Sequence, residues 1–172
     1  WPDDVPREGR RQVPFTRELF IEREDFAEEP PKGFRRMAPG RNIRLRYAYI
    51  VHCDEVIKDE EGEIVEIRCT YDPDSVGTSD GRQRKADGVI HWVSAPKSRK
   101  ATVRLYDRLF AAARPGHETG NLLDDLNPDS LEVLDNARLE WSVESPDAGA
   151  HFQFTRQGYF VADENDCADG AL

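Results

Sequence analysis

Arginines placed beside aromatic residues are the groups in this sequence with the clearest binding chemistry. They occur as FRR at 34–36, RYAY at 46–49 and FQFTRQGYF at 152–160. A guanidinium donates two parallel hydrogen bonds to a phosphate or a guanine edge, and aromatic rings accept unstacked bases. This pairing predicts a surface for single-stranded nucleic acid. The alternative is that the aromatic residues form core and the arginines cover a solvated face.

The first two groupings lie in a basic segment, residues 31–53, within an acidic protein. The segment has six basic residues and no carboxylate, whereas the whole chain has a formal net charge of −10. From Asn42 onward apolar residues alternate with Arg44 and Arg46, which predicts one long strand over 42–53 with both arginines on its outer face. Two such side chains lie about 7 Å apart, close to the spacing of successive phosphates. A solvated sheet face is the other interpretation.

Enzyme motifs are missing from the sequence. No G-x-G-x-x-G, P-loop, G-x-S-x-G or H-E-x-x-H string occurs, and the four histidines are scattered. A metal site built from His52, Cys53 and Cys69 is disfavoured, because adjacent residues of a strand face opposite sides. We therefore predict no catalytic residue and no metal site in this chain.

Composition limits the environment and the mode of binding. Net acidity argues against wholesale non-specific nucleic-acid binding, but charges more than about 8 Å apart are largely screened, so a local basic site remains effective. Three cysteines are an odd number without a disulfide framework, which predicts reduced thiols and a cytoplasmic location. No long apolar run or signal peptide is seen, so no membrane association is expected. The first residue is Trp1 rather than Met, which suggests a fragment.

Short alternating segments separated by turn residues organise the chain. About eight strands and almost no helix favour a β-barrel or a sandwich. An acidic hairpin tip is expected at Glu61–Gly62, between strands within 42–53 and 63–71. The other predicted elements are a linker (1–14), a helical turn in REDFAEE (23–29), a loop (72–87), strands at 88–93, 101–107, 130–135, 137–143 and 151–163, a helical segment in 107–114 and a short helix in 121–128.

Several longer strings in this chain also resemble a known family. RRQVPFTRELFIEREDF, FRRMAPGRNIRLRYAYIV, EIRCTYDPDS, GVIHWVSA, VRLYDRLF, LNPDSL and FQFTRQGYF occur in this order. Together they resemble the C-terminal anticodon-binding region of glutaminyl-tRNA synthetase, a class I aminoacyl-tRNA synthetase. The resemblance runs from about Arg10 to Val161. GVIHWVSA and VRLYDRLF are its most specific parts.

The resemblance implies an all-β fold of two interleaved six-stranded β-barrels of the ribosomal 5S-RNA-binding-protein type. It divides the chain into residues 1–33, a linker and the first strands of a proximal barrel, residues 34–145, a distal anticodon-binding barrel, and residues 146–172, which return to the proximal barrel and end in an acidic tail. The family's catalytic domain, which uses ATP and glutamine, is absent. We therefore expect the fragment alone to be inactive and to need no cofactor.

The resemblance also implies which residues meet the tRNA. The three anticodon bases would be unstacked into separate pockets, with the anticodon loop of tRNA(Gln) as the partner and a monomer as the binding species. At Tyr47 and Thr155 this chain departs from the family, which more often has other residues at these two positions. The implied contacts are Arg36 for the third base with Arg35 beside it at the backbone, Arg44, Arg46 and Tyr47 for the first base, and Gln153 and Arg156 for the middle base.

Two other functions stay open at this point. One is the anticodon-binding region of an archaeal or eukaryotic type of glutamyl-tRNA synthetase, which shares the barrels and the middle-base pocket. The GVIHWVSA and VRLYDRLF strings favour glutamine over glutamate. The other is a non-enzymatic RNA-binding barrel module, which the sequence upstream of Trp1 would identify or exclude.

Overall fold

The computed structural model describes residue 9 and residues 11–76, 86–143 and 146–166. Strands dominate these ranges, which contain only short 3-10 turns as helical elements, so the predicted mainly-β class is confirmed. Most of the predicted linker, the centre of the predicted 72–87 loop and the end of the acidic tail lie outside the described residues. The strands are β1 (Leu19–Phe20), β2 (Asn42–Leu45), β3 (Ile50–Lys58), β4 (Ile64–Asp72), β5 (Gly88–Ile90), β6 (Val93–Ser94), β7 (Arg99–Tyr106), β8 (Leu131–Leu139), β9 (His151–Phe154) and β10 (Gly158–Val161).

The chain divides into two compact units. The central unit, Val13–Lys97, contains a four-stranded sheet in the order β4-β3-β2-β5, in which β5 runs parallel to β2 and the other neighbours are antiparallel. The same unit contains the short antiparallel pair of β1 and β6. Its parallel β2–β5 pairing brings residues 42–45 beside residues 88–90.

The core of the central unit lies against this sheet. Ile43, Leu45 and Ile90 are at most 1% exposed, and Phe26 and Met37 complete the buried centre. Four aromatic residues pack beside this core with ring centroids 4.8–5.6 Å apart and interplanar angles of 55–81°, so their rings contact one another in tilted or edge-to-face geometry. They are Phe15, Tyr49, Tyr71 and Trp92.

The second unit is formed from both ends of the chain, Trp1–Gln12 and Ser98–Leu172. Strands β7 and β8 form a two-stranded antiparallel ribbon, with a register shift between Ala101 and Val103. Strands β9 and β10 form a hairpin. The Arg104 guanidinium on β7 pairs with Asp166 at 2.6 Å, which attaches the residues after β10 to the ribbon.

The described hydrogen-bonded sheets are open. The largest sheet ends at β4 and β5, and the remaining sheets have two strands each, so the six-stranded barrels implied by the resemblance are not present as closed sheets in the described residues. The chain passes from one compact unit to the other at residues 12/13 and 97/98. The domain boundaries predicted at residues 33/34 and 145/146 stay predictions. No helix among the described residues has the length and apolar content that crossing a bilayer requires.

The long strand predicted over 42–53 is wrong in one respect, because the chain reverses at residues 46–49. The amide of Ala48 donates to the Leu45 carbonyl at 2.8 Å, and the Leu45 amide donates to the Tyr49 carbonyl at 2.9 Å. Strands β2 and β3 therefore pair with each other, with Tyr47 in the turn at φ 65°. Alternation of apolar residues continues through this turn, so the pattern alone does not mark the reversal.

The hairpin predicted around Glu61–Gly62 is confirmed as the β3–β4 pair. The Asp59 side chain accepts hydrogen bonds from the amides of Glu61 and Glu63, and Gly62 has φ +87°, which a glycine adopts without steric cost. The acidic residues of this tip thus include one that stabilises the turn itself.

The other predicted elements are recovered in modified form. A 3-10 turn at Arg23–Asp25 and another at Leu122–Asp125 replace the predicted helical turn and the short helix. The two strands predicted at 130–135 and 137–143 are one strand, β8. Residues 107–114 are described without a helix, and the predicted 88–93 strand is divided into β5 and β6.

Cys53 and Cys69 lie opposite each other in the β3–β4 pairing as free thiols. Burial, together with the neighbouring Cys53 and Asp54, raises the pKa of the Cys69 thiol to about 12. Burial also raises the pKa of Cys53. Both side chains are therefore protonated at neutral pH and are weak nucleophiles.

Candidate nucleic-acid interface

A closed loop after the first 3-10 turn presents Arg35 and Arg36. The Ala27 amide donates to the Met37 carbonyl at 3.1 Å, and the Met37 amide donates to the Asp25 carbonyl at 2.9 Å. Phe26 and Met37 are buried in the core at the two ends of the loop. The loop is therefore anchored by its ends, with Arg35 exposed and Arg36 half-buried.

Arg36 is held by a buried carboxylate. Its Nη1 donates to Oδ1 of Asp25, which is fully buried, while 35% of the Arg36 side chain is exposed. A buried carboxylate requires a hydrogen-bonded counter-charge, and a guanidinium supplies it through one edge while keeping further N–H donors. Arg36 is thus fixed at one end and accessible at the other.

Arg35 is positioned by a close backbone contact with β5. A Cβ built on Gly88 would collide with the carbonyl oxygen and carbon of Arg35, so only glycine fits at the start of this strand. On the other side, Nη1 of Arg41 donates to the Phe34 carbonyl at 2.5 Å. These contacts fix the backbone of residues 34–35 and leave the Arg35 side chain in solvent.

Arg44 takes part in a structural hydrogen-bond set instead of projecting freely from an outer face. Its Nη1 donates to the Ser75 carbonyl at 2.9 Å and to the Ala48 carbonyl at 3.3 Å. The Ser75 hydroxyl in turn accepts from the Ile50 amide at 2.8 Å. The arginine therefore links the 46–49 turn to the segment after β4.

We expect Arg44→Ala to lower the free energy of unfolding by about 1–2 kcal/mol, because it leaves two carbonyls without their charged donor. Chemical denaturation followed by tryptophan fluorescence measures this loss. Arg17→Ala, an exposed arginine of the same unit, serves as the control. Unchanged stability in Arg44→Ala would contradict the structural role described for this side chain.

Arg46, which is half-buried, and Tyr47, whose ring is exposed, form a cation–aromatic pair in the turn. The guanidinium carbon of Arg46 lies 5.1 Å from the centre of the Tyr47 ring, and 73% of Tyr47 is exposed. The Arg46 backbone is fixed because its amide donates to the Ile90 carbonyl at 2.9 Å and its carbonyl accepts from Nε1 of Trp92 at 3.1 Å. An exposed ring beside a guanidinium on a fixed backbone is suited to stacking on a base.

In the sequence, His91 lies between Ile90 and Trp92, the two residues that hydrogen-bond to the Arg46 backbone. Burial and the positive charges of Arg46 and Arg36 lower the pKa of His91 below its ordinary value of 6.5, while Asp25 acts in the opposite direction. Its Nε2 and the Nε of Arg46 are buried and have no hydrogen-bond partner among the described residues. His91 is therefore neutral at pH 7.

We expect the central unit to lose stability as the pH falls below about 6.5, because the unfolded chain protonates His91 there while the folded chain resists it. His91→Gln removes the imidazole that is protonated on unfolding. The unfolding free energy of this variant should therefore change less between pH 7.5 and pH 5.5 than that of the parent protein. Denaturant titrations at several pH values measure both slopes. Equal slopes for the two proteins would contradict the effect.

The β9–β10 hairpin carries the two remaining predicted site residues, in the second unit. Gln153 and Tyr159 are opposite each other, and Nε2 of Gln153 lies 3.3 Å from the Tyr159 hydroxyl. Arg156 is exposed in the connecting turn at φ 74°. Tyr159 is 83% exposed, so this face presents an amide and a phenol, and the turn carries an exposed guanidinium.

The phenylalanines of this hairpin lie on its other face. Phe152 and Phe154 are stacked with ring centroids 6.1 Å apart, and Phe154 packs on Phe160 at 5.3 Å. These half-buried rings contact one another. The two-residue alternation of the strands separates them from Gln153 and Tyr159.

The structure brings five of the seven predicted residues into the central unit and two into the second. In the central unit, the charges of Arg36 and Arg46 both act on His91. Strand β5 contacts Arg35 through Gly88 and Arg46 through Ile90. Sequence reasoning missed Asp25 and Gly88. The one available signal for Gly88 was a glycine inside a strand pattern, which often marks a close backbone approach.

The family models that match this chain and its most similar relatives point to the same class of protein. Two family models described as class I tRNA synthetases (E and Q), anti-codon binding domain, match residues 1–72 and 89–163. The chain is 51% identical to a glutamine–tRNA ligase of Bradyrhizobium diazoefficiens over 95% of its length, 48% identical to that of Pseudomonas syringae pv. tomato over 94%, and 51% identical to that of Pseudomonas aeruginosa over 94%.

A β-rich chain that presents an arginine beside an exposed tyrosine ring fits a domain that binds unpaired bases. This chain belongs to the anticodon-binding domains of the class I tRNA synthetases of the E and Q type. It spans 29% of the length of each of the three glutamine–tRNA ligases named above.

Proposed function

We propose that this chain binds the anticodon loop of tRNA(Gln) as the anticodon-binding part of a glutamine–tRNA ligase. The whole ligase joins glutamine to tRNA(Gln) with ATP, and the catalytic step belongs to a domain outside this chain. The main support is the Arg46–Tyr47 pair on a turn whose backbone is fixed by β5 and Trp92, within a family of anticodon-binding domains.

In this proposal each surface takes a different base. Arg36 donates to the third anticodon base from its solvent-facing side while Asp25 holds Nη1, and Arg35 neutralises the adjoining phosphate. Arg46 and Tyr47 take the first base, and Arg44 supports them by holding the 46–49 turn. Gln153 and Arg156 take the middle base on the β9–β10 hairpin.

Aminoacylation by a full-length protein carrying this chain tests the proposal. We expect glutamine to be joined to tRNA(Gln) at least a hundredfold faster than glutamate is joined to tRNA(Glu), judged by kcat/KM. The reverse preference would favour the glutamyl alternative, to which the shared family description also applies. If the protein binds RNA but joins an amino acid to neither tRNA, the result would favour a non-enzymatic module.

The proposal extends to three features of the chain. Residues 34–145 would form the distal anticodon-binding domain, and residues 1–33 and 146–172 would belong to the proximal one. The binding species is a monomer that acts in the cytoplasm, where tRNA is charged. Sedimentation of the full-length protein with tRNA measures the mass of the complex, and a monomer predicts the mass of one polypeptide with one tRNA.

A further inference from the structure

Asp25 is the only charged residue among the described residues that is buried. It ends the 3-10 turn Arg23–Asp25, and its carbonyl accepts the Met37 amide at the closure of the loop that presents Arg36. The backbone of Asp25 thus closes the loop, and its side chain binds the loop's half-buried arginine. One residue fixes both the loop and the cation on it.

Burying the Asp25 carboxylate costs free energy, so a specific function for its position is expected. A carboxylate removed from water needs paired donors, and replacement of a buried ion pair by apolar residues is often neutral or stabilising. Loop closure needs only the Asp25 backbone, since the Met37 amide bonds to the carbonyl. The Asp25 side chain makes a separate contact, which is the ion pair with Arg36.

The surroundings of Asp25 explain why a negative charge is useful there. Arg36 and Arg46 both exert a positive field on His91, and the field of Asp25 opposes them at the same ring. Two guanidinium groups near one half-buried histidine would repel each other without a counter-charge. Asp25 carries the opposite charge and is bonded to Arg36, so it reduces this repulsion.

We propose that Asp25 is a positioning residue that holds Nη1 of Arg36, so that the Nε and Nη2 edge of this guanidinium is directed to the third anticodon base. The inference rests on the proposed function. A guanidinium held at one nitrogen loses less side-chain freedom on binding than a free one, so the carboxylate increases both affinity and base discrimination.

The test is Asp25→Asn in a full-length protein that carries this chain, because the amide has the size of the carboxylate and lacks its charge. Binding is measured for cognate tRNA(Gln) and for transcripts changed at the first or the third anticodon base. We expect Asp25→Asn to weaken cognate binding about tenfold and to reduce discrimination at the third base, with first-base discrimination unchanged.

Two variants provide the controls. Glu28→Gln removes a carboxylate from an exposed pair with Lys58, at 2.6 Å, and should leave all three affinities unchanged. Arg36→Lys keeps a cation for Asp25 and removes the planar fork, so adding Asp25→Asn to it should cause no further loss of third-base discrimination. If Asp25→Asn unfolds below the assay temperature, Asp25→Ser takes its place with the same expectation, because it also lacks the charge and is smaller than aspartate.

Equal weakening for all three transcripts in Asp25→Asn would overturn the positioning role and leave a structural one. Retained third-base discrimination in Asp25→Asn, together with its loss in Arg36→Lys, would overturn this inference alone. Absence of anticodon discrimination in the parent protein would instead contradict the proposed function. The three outcomes are therefore distinct.

Discussion

Arg36→Ala is expected to weaken tRNA(Gln) binding by a full-length protein by about 1–3 kcal/mol, the size of one bidentate base contact. The loss should be much smaller for a transcript altered at the third anticodon base, because that tRNA never formed the contact. Fluorescence or filter binding at fixed salt gives both dissociation constants.

Loss of folding has to be separated from loss of the base contact. Arg36→Ala removes the ion pair of the buried Asp25 carboxylate with Arg36, so the protein should also become less stable. Arg36→Lys keeps the charge and lacks the fork, and we expect it to retain stability while losing discrimination. Arg68→Ala, which removes an exposed arginine paired with Glu55 and Glu66, is the neutral control. Equal losses for cognate and altered tRNA would contradict the assignment of Arg36.

Gly88→Ala is expected to have the second large effect, although it changes neither charge nor a predicted contact residue. The added methyl group would meet the Arg35 carbonyl, so the 34–36 segment or β5 has to move. Overpacking of this kind costs about 1–3 kcal/mol of folding free energy. Because residues 34–36 contact β5 and Arg46 contacts both β5 and Trp92, discrimination at the first and third bases should fall together.

Val89→Ala provides the matched comparison on the same strand. Val89 is 49% exposed, and its truncation leaves the contact between Gly88 and Arg35 intact. We expect it to change stability by less than about 0.5 kcal/mol and to leave base discrimination unchanged. Thermal unfolding and the binding series together measure both variants. A Gly88→Ala protein that matches Val89→Ala in both would show that the close approach is not a constraint.

Regular strand patterns made much of the fold predictable. ATVRLYD alternates cleanly and lies almost wholly in β7, and the acidic Glu61–Gly62 turn joins β3 and β4 as expected. The reversal at 46–49 could not be predicted, because Tyr47 is neither glycine nor proline and adopts a positive φ within an alternating run. The packing of Leu45 and Ala48 into the core overrides the local strand preference there.

The candidate site was predictable only where its parts are adjacent in sequence. The Arg46–Tyr47 pair is a neighbour contact, and the exposure of its tyrosine ring in the structure agrees with the binding chemistry inferred from residue type. The contact between Arg36 and Asp25 spans eleven positions without any periodic pattern, and Arg44 meets Ser75 across thirty-one. Such contacts depend on how loops close on the core, which single-sequence patterns do not specify.

The same contacts refine the roles of the arginines. The six basic residues of 31–53 looked equivalent in sequence, yet Arg41 and Arg44 bond to backbone carbonyls while Arg35 is exposed. Arg36 combines both properties, since one nitrogen is buried in an ion pair and part of the side chain reaches solvent. Local positive charge in this segment therefore serves the fold and the proposed interface at the same time.

Equilibrium binding of the full-length parent protein to tRNA(Gln), and to three transcripts each changed at one anticodon base, tests the central claim most directly. Because each base is proposed to meet its own surface, we predict that every single change weakens binding by about 1–3 kcal/mol, which is roughly 5- to 150-fold. Four equal dissociation constants at the same salt concentration would contradict anticodon recognition by this chain.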